Sequence, residues 1–219
     1  MPKPRPVRRP RRPAPRERAA RLDPGTRRAL LLTAAVRVFA SRGLLAARHA
    51  EIAAEAGVSV SAVFFYFPNR AALVDAVVGE VDALYGTLVA DALVDDVPVP
   101  EALLRLARNF ASSVDAHPDH ARVWLDWSTA FGDESWARYR AFQERVVRLM
   151  ADAIARGQRA GTVAPDLEPE GEAMLLMGAA YIVVQMKITR RPAADVERFL
   201  RTLVRSTVGR MTAGEASKP

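Results

Sequence analysis

Apolar residues recur every three to four positions along most of the chain, and no stretch alternates apolar with polar as a strand would. Leu31, Ala35, Val38 and Phe39 form one stripe, predicting a helix over 26–41 that Gly43 ends. Residues 50–56 predict a short helix with Ile52 and Ala53 on one side and Glu51 and Glu55 on the other. Gly57 follows where a helix closes in a left-handed residue, Val58 plugs the turn, and Ser59 is a favoured N-cap. A second short helix then runs to Pro68, because the residue before a proline is pushed out of the α region. Asn69 can cap a long helix from Arg70 to about Leu93. Breaks at 97–100, 117–118, 132–133, 157, 161–169 and 191–192 delimit helices near 100–116, 119–131, 133–156, 169–190 and 193–212. The fold class expected is all-α: a three-helix N-terminal head (23–69) and a larger helical-bundle body (70–213).

Two short helices about a glycine joint make a helix-turn-helix, whose second helix enters a major groove. At 100° per residue, Val63 and Phe67 pointing to the core put Val60 and Phe64 on the flanks. Ser61 and Phe65 then face away, with Ala62 and Tyr66 on the shoulder. An exposed aromatic edge can touch a thymine methyl, and serine or tyrosine hydroxyls can bond phosphates or base edges. The candidate DNA-binding residues are His49, Ser59, Ser61, Ala62, Phe64, Phe65, Tyr66, Asn69 and Arg70. Arg70 and the free N–H groups beside it form a candidate phosphate contact. The alternative is that all four aromatics of 64–67 are core.

Charge sharpens this picture only once it is located. Residues 1–22 hold nine Lys or Arg against one Glu, a local +8 within a net +7, so the remaining residues sum to −1. The same segment has six prolines and little that could pack, which predicts a basic arm disordered when free. Arg5, Arg8, Arg9, Arg11 and Arg12 could lie in a minor groove beside the head, or the arm could be a solubilising tail. Residues 214–219 are expected to form a disordered tail. There is no cysteine, which removes thiolate chemistry and suits a cytoplasmic, nucleoid-associated protein. The longest apolar run, Ala173–Val184, is 12 residues, short of a membrane span.

The stretches LLTAAVRVFASRG (31–43) and EIAAEAGVSVSAVFFYFPNRAALVDAV (51–77), followed by a helical body, resemble the TetR family of one-component transcriptional regulators. VSVSAVFFYFPNR (58–70) and VWLDWSTAFGDESW (123–136) are similar to its quorum-sensing master regulators of vibrios, the LuxR, SmcR and HapR group. The resemblance implies a homodimer on a pseudo-palindromic operator and a body that holds a small effector. It also implies that the last two long helices pair with their copies, here with Met174, Gly178, Tyr181, Phe199 and Leu203 at the interface. TetR proteins commonly carry a tyrosine near Phe64, and the vibrio group an asparagine at Phe65, so a shifted operator is expected.

In the body, Phe110, Trp124, Trp127, Ser128, Phe131, Trp136, Met177 and Gln185 either line a pocket for a small hydrophobic effector or simply pack. An enzyme is the rival class. His117 and His120 stand three apart about Pro118, where solvated loop residues are the simpler reading than a metal site. No phosphate loop, HExxH or nucleophile-elbow motif is present, and Asp95–Asp96 and Glu168/Glu170 flank loop prolines. The expected partners are double-stranded DNA, a second copy and an effector, with no cofactor, no metal, no membrane and no catalysis. A basic architectural protein of little sequence specificity is the third class.

Overall fold

The computed structural model describes residues 23–94 and 97–208. Among the described residues there are nine helices and no strand. They are α1 (Pro24–Arg42), α2 (His49–Ala56), α3 (Val60–Tyr66), α4 (Arg70–Ala92), α5 (Val99–Ala116), α6 (Pro118–Trp127), α7 (Trp136–Arg159), α8 (Pro169–Ile188) and α9 (Ala193–Thr207). The basic arm with Arg5, Arg8, Arg9, Arg11 and Arg12, the pair Asp95–Asp96 and the tail 214–219 lie outside the described residues.

Local signals account for the boundaries in the head. Gly43 closes α1 at φ 88, and Gly57 closes α2 in the left-handed region at φ 65, ψ 35. Ser59 accepts the Ala62 N–H at 3.3 Å to cap α3, and Asn69 accepts the Ala72 N–H at 2.8 Å to cap α4. One apolar core runs without interruption from Leu31 in α1 to Val204 in α9. Helix α4 is its spine: Leu73, Val77, Val78 and Val81 are fully buried where α4 packs on α1, α5, α6 and α7. The division expected at residues 69 and 70 coincides with the start of this shared helix.

Helix α7 braces α4 along its length. Asp75 pairs with Arg138 and Asp82 with Arg145, seven residues apart on both helices. The guanidiniums lie over Gly79 and Gly86, where an added Cβ would sit 2.9 and 3.4 Å from them. At the far end Arg156 donates to the Leu93 carbonyl at 2.9 Å, and Arg105 to that of Ala92 at 2.9 Å. These arginines occupy the orphan carbonyls of the α4 C-terminus.

Several expected boundaries shift, and α9 ends at Thr207 where 212 was expected. Helix α6 ends at Trp127 rather than 131, because the Ser128 and Thr129 hydroxyls bond back to the carbonyls of Leu125 (2.6 Å) and Asp126 (3.2 Å). The chain turns through Gly132 at φ 84 and resumes at Trp136. Gly157, read as a break, instead lies inside α7. A Cβ there would stand 2.5 Å from the Val163 Cγ2 and 2.9 Å from the Val99 Cβ, so the glycine serves close approach.

Helix α8 is apolar all round. With a mean hydropathy of 1.3 over an 18-residue window it is long and apolar enough to cross a membrane by length and composition, although its longest unbroken apolar run is shorter. Only 28% of that window is buried within the subunit.

Candidate nucleic-acid interface and the body behind it

Helix α3 is anchored by Val63 (0% exposed) and by Phe67 (1%) just past its end. That fixes its rotation and leaves Phe65 79% exposed, with Ser61 beside it and the Tyr66 ring set edge-on at 5.1 Å. Reading the whole aromatic run as core therefore fails at Phe65 and holds at Phe67. Phe64 is half exposed and stacks on the His49 ring at 4.1 Å. The His49 Nε2–H donates to the Phe67 carbonyl at 2.8 Å, so this histidine ties the start of α2 to the end of α3. Ser59 and Asn69 are occupied as caps, and the hydroxyls of Ser59 and Ser61 lie 3.0 Å apart. Ala62 is half-buried at the rim.

Arg70 does something the sequence did not suggest. Its guanidinium donates to the carbonyls of Leu44 (2.6 Å) and Ala47 (3.2 Å), bracing the α1–α2 joint. The Leu44 N–H donates to the Asp126 carboxylate on α6. Leu44 itself is fully buried, so this joint is held by α4 on its carbonyl side and by α6 on its N–H side. Arg70 thus acts as an internal brace while staying exposed beside the groove of His49 and Phe64. Arg48 was missed: it is exposed in a groove of about 300 Å³ shared with His49, Val60, Phe64 and Arg70. Its only sequence signal was its place before the helix-turn-helix.

Behind the head, helices α4 to α9 line an apolar cavity of about 70 Å³. Of the residues expected there, Phe110, Trp124 and Met177 line it. The others do not. Trp127 is fully buried and donates its indole N–H to the Ser135 carbonyl at 3.0 Å, as a core tryptophan does. Ser128 is spent on its own helix end. Phe131 is 73% exposed on the α6–α7 loop, and Trp136 stacks between it and Tyr139. Gln185 is exposed because it follows the buried Val183 by two positions, about 200° around the helix. Tyr85 and the α9 residues Leu200 and Leu203 complete walls the sequence did not indicate.

The expected interface residues also divide. Met174 (56% exposed) and Gly178 face outward on α8, in a row with Leu175 and Ile182. Tyr181 turns inward, bonding the Tyr139 hydroxyl at 2.5 Å and packing on Trp124. Leu203 lines the cavity, and Phe199 packs on Val183, Val196 and Leu200. All three are half-buried within the subunit, Tyr181 on α8 and Phe199 and Leu203 on the apolar face of the amphipathic α9. Elsewhere, the His117 and His120 rings stand 5.5 Å apart at the start of α6. Burial first, then His117, holds the His120 pKa low. Among the described residues no three imidazoles or carboxylates are placed to hold a metal ion.

Residues 31–77, which span α1 to the first turns of α4, match the family model "Bacterial regulatory proteins, tetR family". Over 167 residues the chain is 34% identical to the HTH-type transcriptional regulator LuxR of Vibrio harveyi, covering 74% of this chain and 80% of that one. The chain belongs to the TetR family.

Solved TetR-like folds agree along the length. The fatty acid degradation regulator FadR from Bacillus halodurans superposes with a TM-score of 0.70 at 18% identity, covering 87% of this chain and 98% of that one. FadR from Bacillus subtilis, solved in complex with stearoyl-CoA, gives 0.69 at 16% identity, covering 82% and 97%. At such identities the likeness is one of fold. As a TetR-family transcriptional regulator, the chain carries its helix-turn-helix on α2 and α3.

Proposed function

We propose that this TetR-family regulator works as a homodimer, placing one α3 in each of two successive major grooves of a pseudo-palindromic operator. The observation that carries the reading is Phe65: a large apolar side chain 79% exposed on a helix whose rotation two buried anchors fix. A soluble helix gains nothing from such exposure, whereas a reading helix can press that ring against a thymine methyl. Ser61 and Tyr66 flank it on α3, and Arg48 lies in the groove beside Phe64, as candidate phosphate and base-edge contacts. One short helix reads only a few base pairs, so two-fold repetition supplies the remaining discrimination. The arm adds affinity from the minor groove, and the body cavity takes a small hydrophobic effector. The regulator acts without catalysis, in the cytoplasm on nucleoid DNA. Quorum-sensing control rests on the similarity to the vibrio group alone.

Selection of bound sequences from a random DNA pool tests this, run on the full chain and on a version starting at Arg21. An enriched inverted repeat retained by both supports a helix-turn-helix dimer, with the arm adding affinity. No enrichment from either favours an architectural protein and sinks the proposal. With an operator in hand, Phe65→Ala is expected to cost roughly 1–3 kcal/mol of discrimination at one thymine-bearing position. An equal loss on random DNA would contradict that role.

A further inference from the structure

His49 is the one histidine of the head, residues 23–69, and so the side chain there suited to change its charge between about pH 5 and 8. Its ring is held on two sides. The Nε2–H donates to the Phe67 carbonyl at 2.8 Å, and the ring plane lies on Phe64 at 4.1 Å and 5°. A carbonyl only accepts, so this bond keeps the single ring proton of the neutral imidazole on Nε2. Nδ1 then carries a lone pair and no proton.

The same ring lines the groove of about 300 Å³ beside α3. The charged members of that groove are Arg48 and Arg70, and among the described residues no carboxylate lines it. Glu51, two residues along α2, is occupied by the Arg42 guanidinium at 3.0 Å and the Arg48 backbone N–H at 3.1 Å. Helix α3 carries no charged residue, and α1 contributes Arg28, whose guanidinium lies 5.3 Å over the Phe67 ring. The surroundings of His49 are therefore basic, which opposes a second proton on the free ring. With α3 in a major groove, the preceding helix crosses the DNA backbone and brings phosphate to the start of α2. Phosphate oxygens accept and do not donate. They repel the Nδ1 lone pair of the neutral ring, attract the imidazolium, and offset the arginines that opposed it.

We propose that each head takes up a proton at His49 as it binds DNA, so that operator affinity rises as pH falls through the range where imidazole titrates. The proton passes from solvent to Nδ1, and Nε2–H keeps its bond to Phe67. The charged ring gains both the phosphate and the face of Phe64. Because the proton enters with the DNA, binding is tightest at low pH and the advantage is lost as pH rises. The inference rests on the placing of α3 in the major groove and adds to it the chemical state of the bound head.

Operator binding by the full chain, measured from about pH 5.5 to about pH 8 at constant salt, tests it. A roughly tenfold preference of phosphate for the imidazolium in each of two heads gives about a hundredfold fall in affinity over that range. His49→Gln keeps an N–H donor for the Phe67 carbonyl and carries no titrating charge, so it is expected to flatten the profile. Imidazole nitrogen NMR reads the proton directly, since the chain has three histidines and the variant identifies the signals of His49. At about pH 7 a second ring proton on His49 is expected to appear when the operator is added. A profile as steep in His49→Gln as in the parent, a flat parent profile, or a singly protonated His49 in the complex would overturn the proton uptake and leave the helix-turn-helix reading standing. Absence of sequence-specific binding at every pH would remove that reading as well.

Discussion

Asp126→Ala is expected to loosen the reading head from the body, costing about 3 kcal/mol of stability in denaturant unfolding. The reason is the bond from the Leu44 N–H, which crosses from the α1–α2 joint to the last turn of α6. A hydrogen bond to a charged acceptor is worth more than a neutral one, and removing the carboxylate leaves a part-buried N–H without a partner. Gly43 beside it holds φ +88, which side chains rarely adopt, and even a Cβ there would only touch Asp126 Oδ2 at an ordinary 3.5 Å. Asp126→Asn keeps the shape and a neutral acceptor, so it should recover most of the loss. Amide exchange at Leu44 should quicken in the alanine variant before the rest of the head does. An unfolding midpoint equal to the parent's would remove Asp126 from this role. Arg70→Ala should act on the same joint from the other side, through the carbonyls of Leu44 and Ala47. If Arg70 grips phosphate instead, the salt slope of DNA binding drops by about one unit with little loss of stability.

The head was legible because its signals are local. Gly57, Ser59, Pro68 and Asn69 each fix a backbone conformation through their own chemistry, and the spacing of Val63 and Phe67 sets the rotation of α3. Arg70 and Asp126 were not legible, since each acts on a residue 23 to 82 positions away. Nothing in the local pattern announces such a partner. The tryptophans misled for a related reason. Trp124 and Trp127 lie three apart on one helix face and both are buried, yet only Trp124 reaches the cavity. Which buried aromatic borders a void depends on the helices opposite, and α9 supplies Leu200 and Leu203 to that wall from 76 and more residues downstream. Gly157 shows the same limit from the other direction, because a glycine inside a helix reads as a break until Val99 and Val163 are seen against it.

Ile182→Asp is expected to convert the proposed dimer to single subunits of 24.0 kDa in sedimentation and to weaken operator binding by about a thousandfold. Helix α8 is apolar all round yet packed in the subunit on one side only. Its outer row of Met174, Leu175, Gly178 and Ile182 recurs at three- to four-residue spacing, with the apolar members 44–62% exposed. Gly178 has open space where a Cβ would go, so another helix can approach closely there. A two-fold axis near this row would set the introduced carboxylate of one copy close to its equivalent on the other, adding like-charge repulsion to lost apolar contact. Within the single subunit the new carboxylate faces water, so unfolding stability measured at low concentration should change by no more than about 0.5 kcal/mol. Leu203→Asp separates the interface from the interior: Leu203 lines the cavity, so the substitution should unfold the subunit instead of splitting the dimer. Binding falls steeply with Ile182→Asp because a lone head keeps one half-site, and the specific advantage over bulk DNA needs both. A variant that stays dimeric with full operator affinity would move the interface off α8.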